Sequence, residues 1–93
     1  MNRVSFSPQF YADCEVLKAL APSVYNRVKE NLGLLRNAEP GTIDGVTWDQ
    51  EAEVYTWVFE PADTGSPFCV EADFVVEGHE IYLTRLESFE LPL

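Results

Sequence analysis

The apolar residues of this chain change their period partway along it, and that change limits the folds it can adopt. Up to Leu35 they recur every three or four positions, as on one face of a helix. From residue 53 onward they recur every second position, as on one face of a strand. A helical part followed by a strand-rich part, in 93 residues, points to one small α+β domain rather than a repeat or a two-domain protein.

The elements can be placed from turn and cap chemistry. Arg3-Val4-Ser5-Phe6 alternates polar and apolar and reads as a short strand. Ser7-Pro8 is a helix start: serine can cap free N–H groups, and proline suits the first helical position. Phe10, Cys14, Leu17 and Leu20 form the apolar stripe of a first helix. The Ala21-Pro22 break begins a second, whose stripe is Val24, Val28, Leu32 and Leu35. Asn37 and Glu39-Pro40-Gly41 end it, and Gly33 weakens its last turn. Residues 39–52 read as a loop pinned to the core by Ile43, Val46 and Trp48.

Three strands follow, at residues 53–60, 68–76 and 80–87. A loop with a proline at each end, residues 61–67, joins the first two, and Glu77-Gly78-His79 turns into the third. Short connections make antiparallel neighbours, so the three should form a meander. The expected architecture is β-α-α-β-β-β: a two-layer domain whose antiparallel sheet is covered on one face by a helical hairpin. Tyr55, Trp57 and Phe59 share one face of the first long strand, and Val54, Thr56 and Val58 the other. Alternation alone does not say which face is core. In the last strand it puts Ile81 and Leu83 on one face and Tyr82, Thr84 and Leu86 on the other. The tail from Phe89 to Leu93 either folds back over the core or docks on a partner.

Charge separates the two parts further. Residues 1–38 carry five basic and three acidic side chains, whereas residues 39–93 carry thirteen acidic side chains and one basic one, Arg85. The net charge is −10. A second half this negative repels phosphate and so argues against a nucleic-acid surface there. Arg27, Lys29 and Arg36 on the second helix read as a solvated face. Twelve aromatic residues argue for a packed core despite the charge. No apolar run is long enough to span a bilayer and no signal peptide is visible, so a cytoplasmic setting is expected.

Chemistry-bearing motifs are sparse. Cys14 and Cys69 read as small buried thiols, with a bridge between them open only to an exported chain. His79 is the one histidine and reads as a turn residue, with no second ligand at metal spacing. Glu71 and Asp73 lie two apart on one strand face. They suit a solvated face that discourages aggregation, or a protein interface, better than acid–base catalysis. If Tyr55 and Trp57 point outward beside them, the result is an aromatic and acidic patch for a partner. The candidate partner-binding set is Tyr55, Trp57, Glu71, Asp73 and Arg85. No catalytic residue, metal or other cofactor is expected.

Val4-Ser5-Phe6-Ser7-Pro8, the paired stripes Leu17, Leu20, Val24, Val28, Leu32 and Leu35, the proline-containing loop and the closing meander together resemble the RelE/ParE toxin superfamily. The resemblance implies a toxin paired with an antitoxin. RelE-like members cut messenger RNA on the ribosome, and ParE-like members act on DNA gyrase. The aromatic-arginine pair that RelE-like enzymes carry on the third strand falls here at Val70-Glu71, with charge reversed. Phe89 stands where they carry a C-terminal tyrosine or histidine. A ribonuclease must stabilise developing negative charge, and Arg85 alone is poor equipment. The expectation is therefore a non-enzymatic protein-binding module with a RelE/ParE-like fold, a divergent toxin–antitoxin component. Its partner would be a protein with a basic surface, an antitoxin or a target enzyme. The alternative is a small acidic inhibitor, of the kind phages encode, that mimics nucleic acid toward a basic enzyme.

Overall fold

A computed structural model describes residues 2–59 and 68–90. The chain runs through β1 (Arg3–Phe6), α1 (Pro8–Leu20), α2 (Pro22–Leu32), a 3-10 turn at Gly33–Arg36 and a second at Pro40–Thr42. It continues through β2 (Val46–Asp49), β3 (Val54–Phe59), β4 (Phe68–Glu77) and β5 (Glu80–Glu90). The five strands form one sheet in the order β1-β5-β4-β3-β2. The two helices cover one face of it, as expected for this α+β class.

The caps work as their sequences suggest. The Ser7 side chain accepts the Phe10 N–H at 3.0 Å, and Pro8 opens α1. The stripe that enters the core is Phe10, Cys14, Leu17 and Ala21. Leu20 departs from the expected stripe and is 71% exposed, because steps of four, three and four lead to Ala21 instead. From α2 and the turn after it, Val24, Val28 and Leu35 are fully buried and Leu32 partly so. The helix tightens to 3-10 at Gly33, and Asn2 closes its end. The Asn2 amide donates to the Leu35 and Ala38 carbonyls at 2.8 and 3.0 Å, satisfying acceptors that the ended helix leaves free.

Three features of the sheet differ from the expectation. First, residues 46–49 are a strand, not loop. β2 pairs antiparallel with β3, Val46 opposite Trp57 and Trp48 opposite Tyr55. Ile43 and Val46 do pack on the core, but Trp48 is 53% exposed at the sheet edge, resting edge-on against Tyr55. Gly45 lets the chain entering β2 lie close against β3, where its carbonyl accepts the Val58 N–H at 3.1 Å. Its φ is +88°, and a Cβ there would lie 2.4 Å from the Val58 carbonyl oxygen. Second, the sheet is mixed. β1 lies parallel to β5, Val4 opposite Ile81, because the helical hairpin returns the chain to the far side of the meander before β2 begins. Third, β5 continues through residues 88–90, so Phe89 belongs to the sheet. The expected proline-flanked loop at 61–67, and residues 91–93 of the tail, lie outside the described residues.

A β-bulge sets which side chains of β5 face the core. Asp73 pairs with Arg85 but Phe74 pairs with Leu83, so Thr84 has no opposite number. Simple alternation would put Leu86 opposite in facing to Leu83. The extra residue shifts the phase, and Ile81, Leu83 and Leu86 all enter the core. On β4, Val70, Ala72 and Phe74 enter the same core, as their spacing indicates. The bulge is held by α1. Ser7 N–H donates to the Leu83 carbonyl at 2.9 Å and Ser7 Oγ to the Thr84 carbonyl at 2.8 Å. Asp13 on α1 accepts the Leu86 N–H at 2.9 Å. A capping serine and a helical carboxylate thus tie local helix chemistry to a strand more than seventy residues away.

Two sets of substitutions test this account by urea denaturation. Asp13→Ala strands the Leu86 N–H and should cost about 1–3 kcal/mol. Gly45→Ala should cost at least about 1–2 kcal/mol from backbone handedness alone, before the carbonyl clash is added. Gly33→Ala, with no atom of a neighbouring element within 4 Å of the new methyl and a helical backbone, should instead be neutral or stabilise by about 0.5–1 kcal/mol.

Candidate functional site: the open face of the sheet

The helices leave the other face of the sheet uncovered by any described element, and the strand period decides what it displays. β3 contributes Thr56 and Val58, β4 contributes Glu71, Asp73 and Val75, and β5 contributes Tyr82, Arg85, Glu87 and Phe89. Val58, Tyr82 and Phe89 are large exposed apolar side chains. They lie among three carboxylates and one guanidinium.

The register brings the charges together. Glu71 lies opposite Glu87 on one side and Val58 on the other; Asp73 lies opposite Arg85 and Thr56. Thr56 Oγ1 donates to an Asp73 carboxylate oxygen at 3.3 Å. Arg85 pairs with the Glu87 carboxylate, two residues along its own strand. Among the described residues, Glu71, Asp73 and Glu87 therefore share one nearby cation, Arg85, and the middle of the face is net negative. Glu71 feels it. Partial burial, then Asp73 and Glu87, push its carboxyl above the usual range, and Arg85 offsets this only in part.

The five residues that the sequence nominated for partner contact do not share one surface. Glu71, Asp73 and Arg85 come together on the open face. Tyr55 and Trp57 face the helices instead. Trp57 is 2% exposed, and its indole N–H donates to the Asp44 carbonyl at 3.1 Å. Tyr55 is half-buried, stacked on Phe74 with ring centroids 5.4 Å apart. The aromatics point inward because β3 is flanked on that face by the core residues Ala72 and Phe74. Their expected place in the patch is taken by Val58, which sits beside Glu71 in register. Strand alternation assigned Val58 to the face opposite Trp57, but not to solvent. Arg85 and Glu87 reach the face only through the bulge at Thr84, which strand alternation does not anticipate.

Other candidate chemistry is weak. Cys14 is half-buried on α1 and Cys69 is buried on β4. Burial, reinforced by Asp13 and Glu15, pushes the Cys14 thiol up to about 11, so it stays protonated at neutral pH. His79 is exposed in the β4–β5 turn beside Gly78, whose φ of +62° the tight turn requires. Among the described residues, no group of three His, Cys, Asp or Glu side chains is arranged to hold a metal ion. No helix among them is long and apolar enough to cross a membrane.

Comparison with known proteins gives one structural likeness. No family model matches the chain, and no curated protein matches it by sequence. A chain from the structure titled "Chromosomal ParDE TA system from P. aeruginosa" superposes on it with a TM-score of 0.59 and 20% sequence identity. The superposition covers 97% of this chain and 98% of the other, so the likeness spans the whole domain. The fold of this chain is ParE-like, the α+β architecture that its opening strand, helical hairpin and meander resemble in sequence.

The position of Glu71 makes a pH-dependent prediction. A carboxyl whose folded pKa is raised favours the folded state fully below its unfolded pKa, and loses that contribution as pH rises through the folded value. Glu71→Gln should therefore be more stable than the parent at pH 7, by a small margin because solvent screens a site this exposed. The advantage should vanish below about pH 4, where the unfolded carboxyl is also protonated. Paired urea titrations across that range read it directly.

Proposed function

We propose that this chain is a non-enzymatic protein-binding module with a ParE-like fold, a divergent component of a toxin–antitoxin pair. The observation that carries the reading is the open sheet face. It combines exposed apolar side chains, Val58, Tyr82 and Phe89, with net negative charge at Glu71, Asp73 and Glu87 around Arg85. Apolar anchors within a charged surround suit a protein interface. Negative potential at the centre favours a basic partner and speeds its encounter. The same potential disfavours phosphate, so contact with a polypeptide fits this surface better than contact with RNA or DNA. Glu71, Asp73 and Arg85 are the charged residues assigned to the contact. Arg85 orients Glu87 and limits the repulsion within the patch.

The ParDE likeness supports a protein partner in the antitoxin role, because that neighbour comes from a structure titled as a TA system. A target enzyme with a basic surface would use the same face. The acidic-inhibitor reading also uses it, and differs in what expression does to a cell.

Induced expression in a bacterial host, followed by growth, tests the proposal. The expected result is growth inhibition that is relieved by co-expressing the product of a neighbouring gene. It should also be abolished by Glu71→Lys with Asp73→Lys in a protein that still folds. Inhibition that survives this double reversal would overturn the assignment of the site. Absence of any growth effect or of a co-purifying neighbour product would overturn the toxin–antitoxin reading. For the partner that is found, affinity should fall by about tenfold or more between low and physiological salt, as exposed charge pairs are screened.

A further inference from the structure

The helical side of the molecule carries a groove of the opposite character. Its first hollow, about 300 Å³, lies between α1 and α2 over Phe6, Phe10 and Tyr25, with Tyr11 on its wall. A second, about 320 Å³, adjoins it toward the 3-10 turn and shares Phe6, Lys29 and Leu32. Each alone is at the small end of ligand sites, and together they are of ordinary size for one small amphiphile. The walls are mainly apolar and the charge on them is mainly positive: Lys29 lines both hollows, and the Lys18 ammonium lies 6.0 Å from the centre of the Tyr25 ring. Glu15 lines only the first hollow. Lys29 and Arg36 line the second, with no carboxylate among its walls. The Lys29 ammonium lies 5.7 Å from the centre of the Tyr25 ring, which holds it beside the junction of the two hollows. From Tyr25 to Arg36 the chain rises roughly 17 Å at helical pitch, enough for an extended alkyl chain of about ten carbons.

We propose that this groove binds an amphipathic carboxylate. The alkyl chain would lie over Phe6 and Phe10 in the first hollow, and the carboxylate between Lys29 and Arg36 in the second. Arg36, which lines only the second hollow, and Glu15, which lines only the first, together favour this orientation. A planar guanidinium and an ammonium converging on one carboxylate supply charge-assisted hydrogen bonds. An apolar amine or alcohol of the same length fills the same volume without them. The surface lies across the molecule from Glu71 and Asp73, so its occupancy is independent of the protein contact proposed above.

The test is a chemical-shift titration of the isotope-labelled full chain with decanoate, decyltrimethylammonium and decanol, each below its micelle concentration. The expected result is saturable shifts at Tyr11, Tyr25, Leu32 and Arg36 with decanoate, and at least about tenfold weaker binding of the other two. Lys29 and Arg36 are exposed, so Lys29→Glu with Arg36→Glu should leave the fold intact by circular dichroism while weakening decanoate binding by about tenfold or more. Tyr11→Glu, at a wall residue 60% exposed, should weaken it independently. Glu71→Lys with Asp73→Lys should leave it unchanged. Equal binding of all three amphiphiles, no saturable shift with decanoate, or insensitivity to the Lys29 and Arg36 variant would each overturn the proposal. Saturation by a synthetic amphipathic Leu-Glu peptide but not by decanoate would overturn it too, and would assign the groove to a protein segment.

Discussion

The β-bulge at Thr84 is the constraint on which the rest of the structure depends. One unpaired residue shifts the phase of β5, so that Leu86 joins Ile81 and Leu83 in the core while Arg85 and Glu87 face outward. Without the shift, a strand of strict period two would turn a leucine to water or an arginine into the core. The bulge interrupts the ladder locally, and α1 supplies partners there. Ser7 donates to the Thr84 carbonyl, Ser7 N–H to the Leu83 carbonyl, and Asp13 accepts the Leu86 N–H. Helix start, bulge and edge strand β1 thus form one hydrogen-bonded junction between the chain's first residues and its last strand. The same junction places β1 parallel to β5 and sets the helical hairpin over the inner face.

From that geometry follows a domain with two unlike surfaces. The two helices and the 3-10 turn after them carry four of the chain's six Lys and Arg side chains, Lys18, Arg27, Lys29 and Arg36. The outer face of the sheet brings together Glu71, Asp73 and Glu87 around a single arginine. Such a face is a poor surface for phosphate and a reasonable one for a basic polypeptide. The overall fold, shared along nearly its full length with a chain from a ParDE system, constrains shape but not chemistry. The chemistry rests on side chains, and here the outer face of the sheet displays carboxylates and exposed apolar groups around Arg85.

Much of this was legible in the residues because the signals were local. Ser7-Pro8 starts α1 by capping and by proline geometry, and Val24, Val28 and Leu35 mark the buried stripe by spacing alone. Val70, Ala72 and Phe74 mark the inner face of β4 in the same way. What escaped was decided by contacts distant in sequence. β2 spans only Val46–Asp49 and needs Gly45 to approach the Val58 carbonyl closely, which a local pattern does not reveal. Its one visible trace was Val46-Thr47-Trp48, a β-prone run between turn residues. The facing of Trp57 depended on which side the helices took, and both sides of β3 are apolar enough to be core. Arg85 reached the candidate site through a bulge held by Ser7 and Asp13, and no pattern within β5 encodes that. Leu20 completed a plausible stripe but lost its place to Ala21 by one position.

The claim at the centre is that the outer sheet face engages protein and repels nucleic acid. Fluorescence anisotropy of labelled single-stranded RNA and duplex DNA against the purified chain, at low salt where phosphate contacts are strongest, measures this most directly. The account predicts no saturable binding to the parent, and the appearance of binding once Glu71 and Asp73 are both replaced by lysine. Tight, salt-sensitive binding of either oligonucleotide to the parent chain, lost on substitution of Arg85, would contradict it.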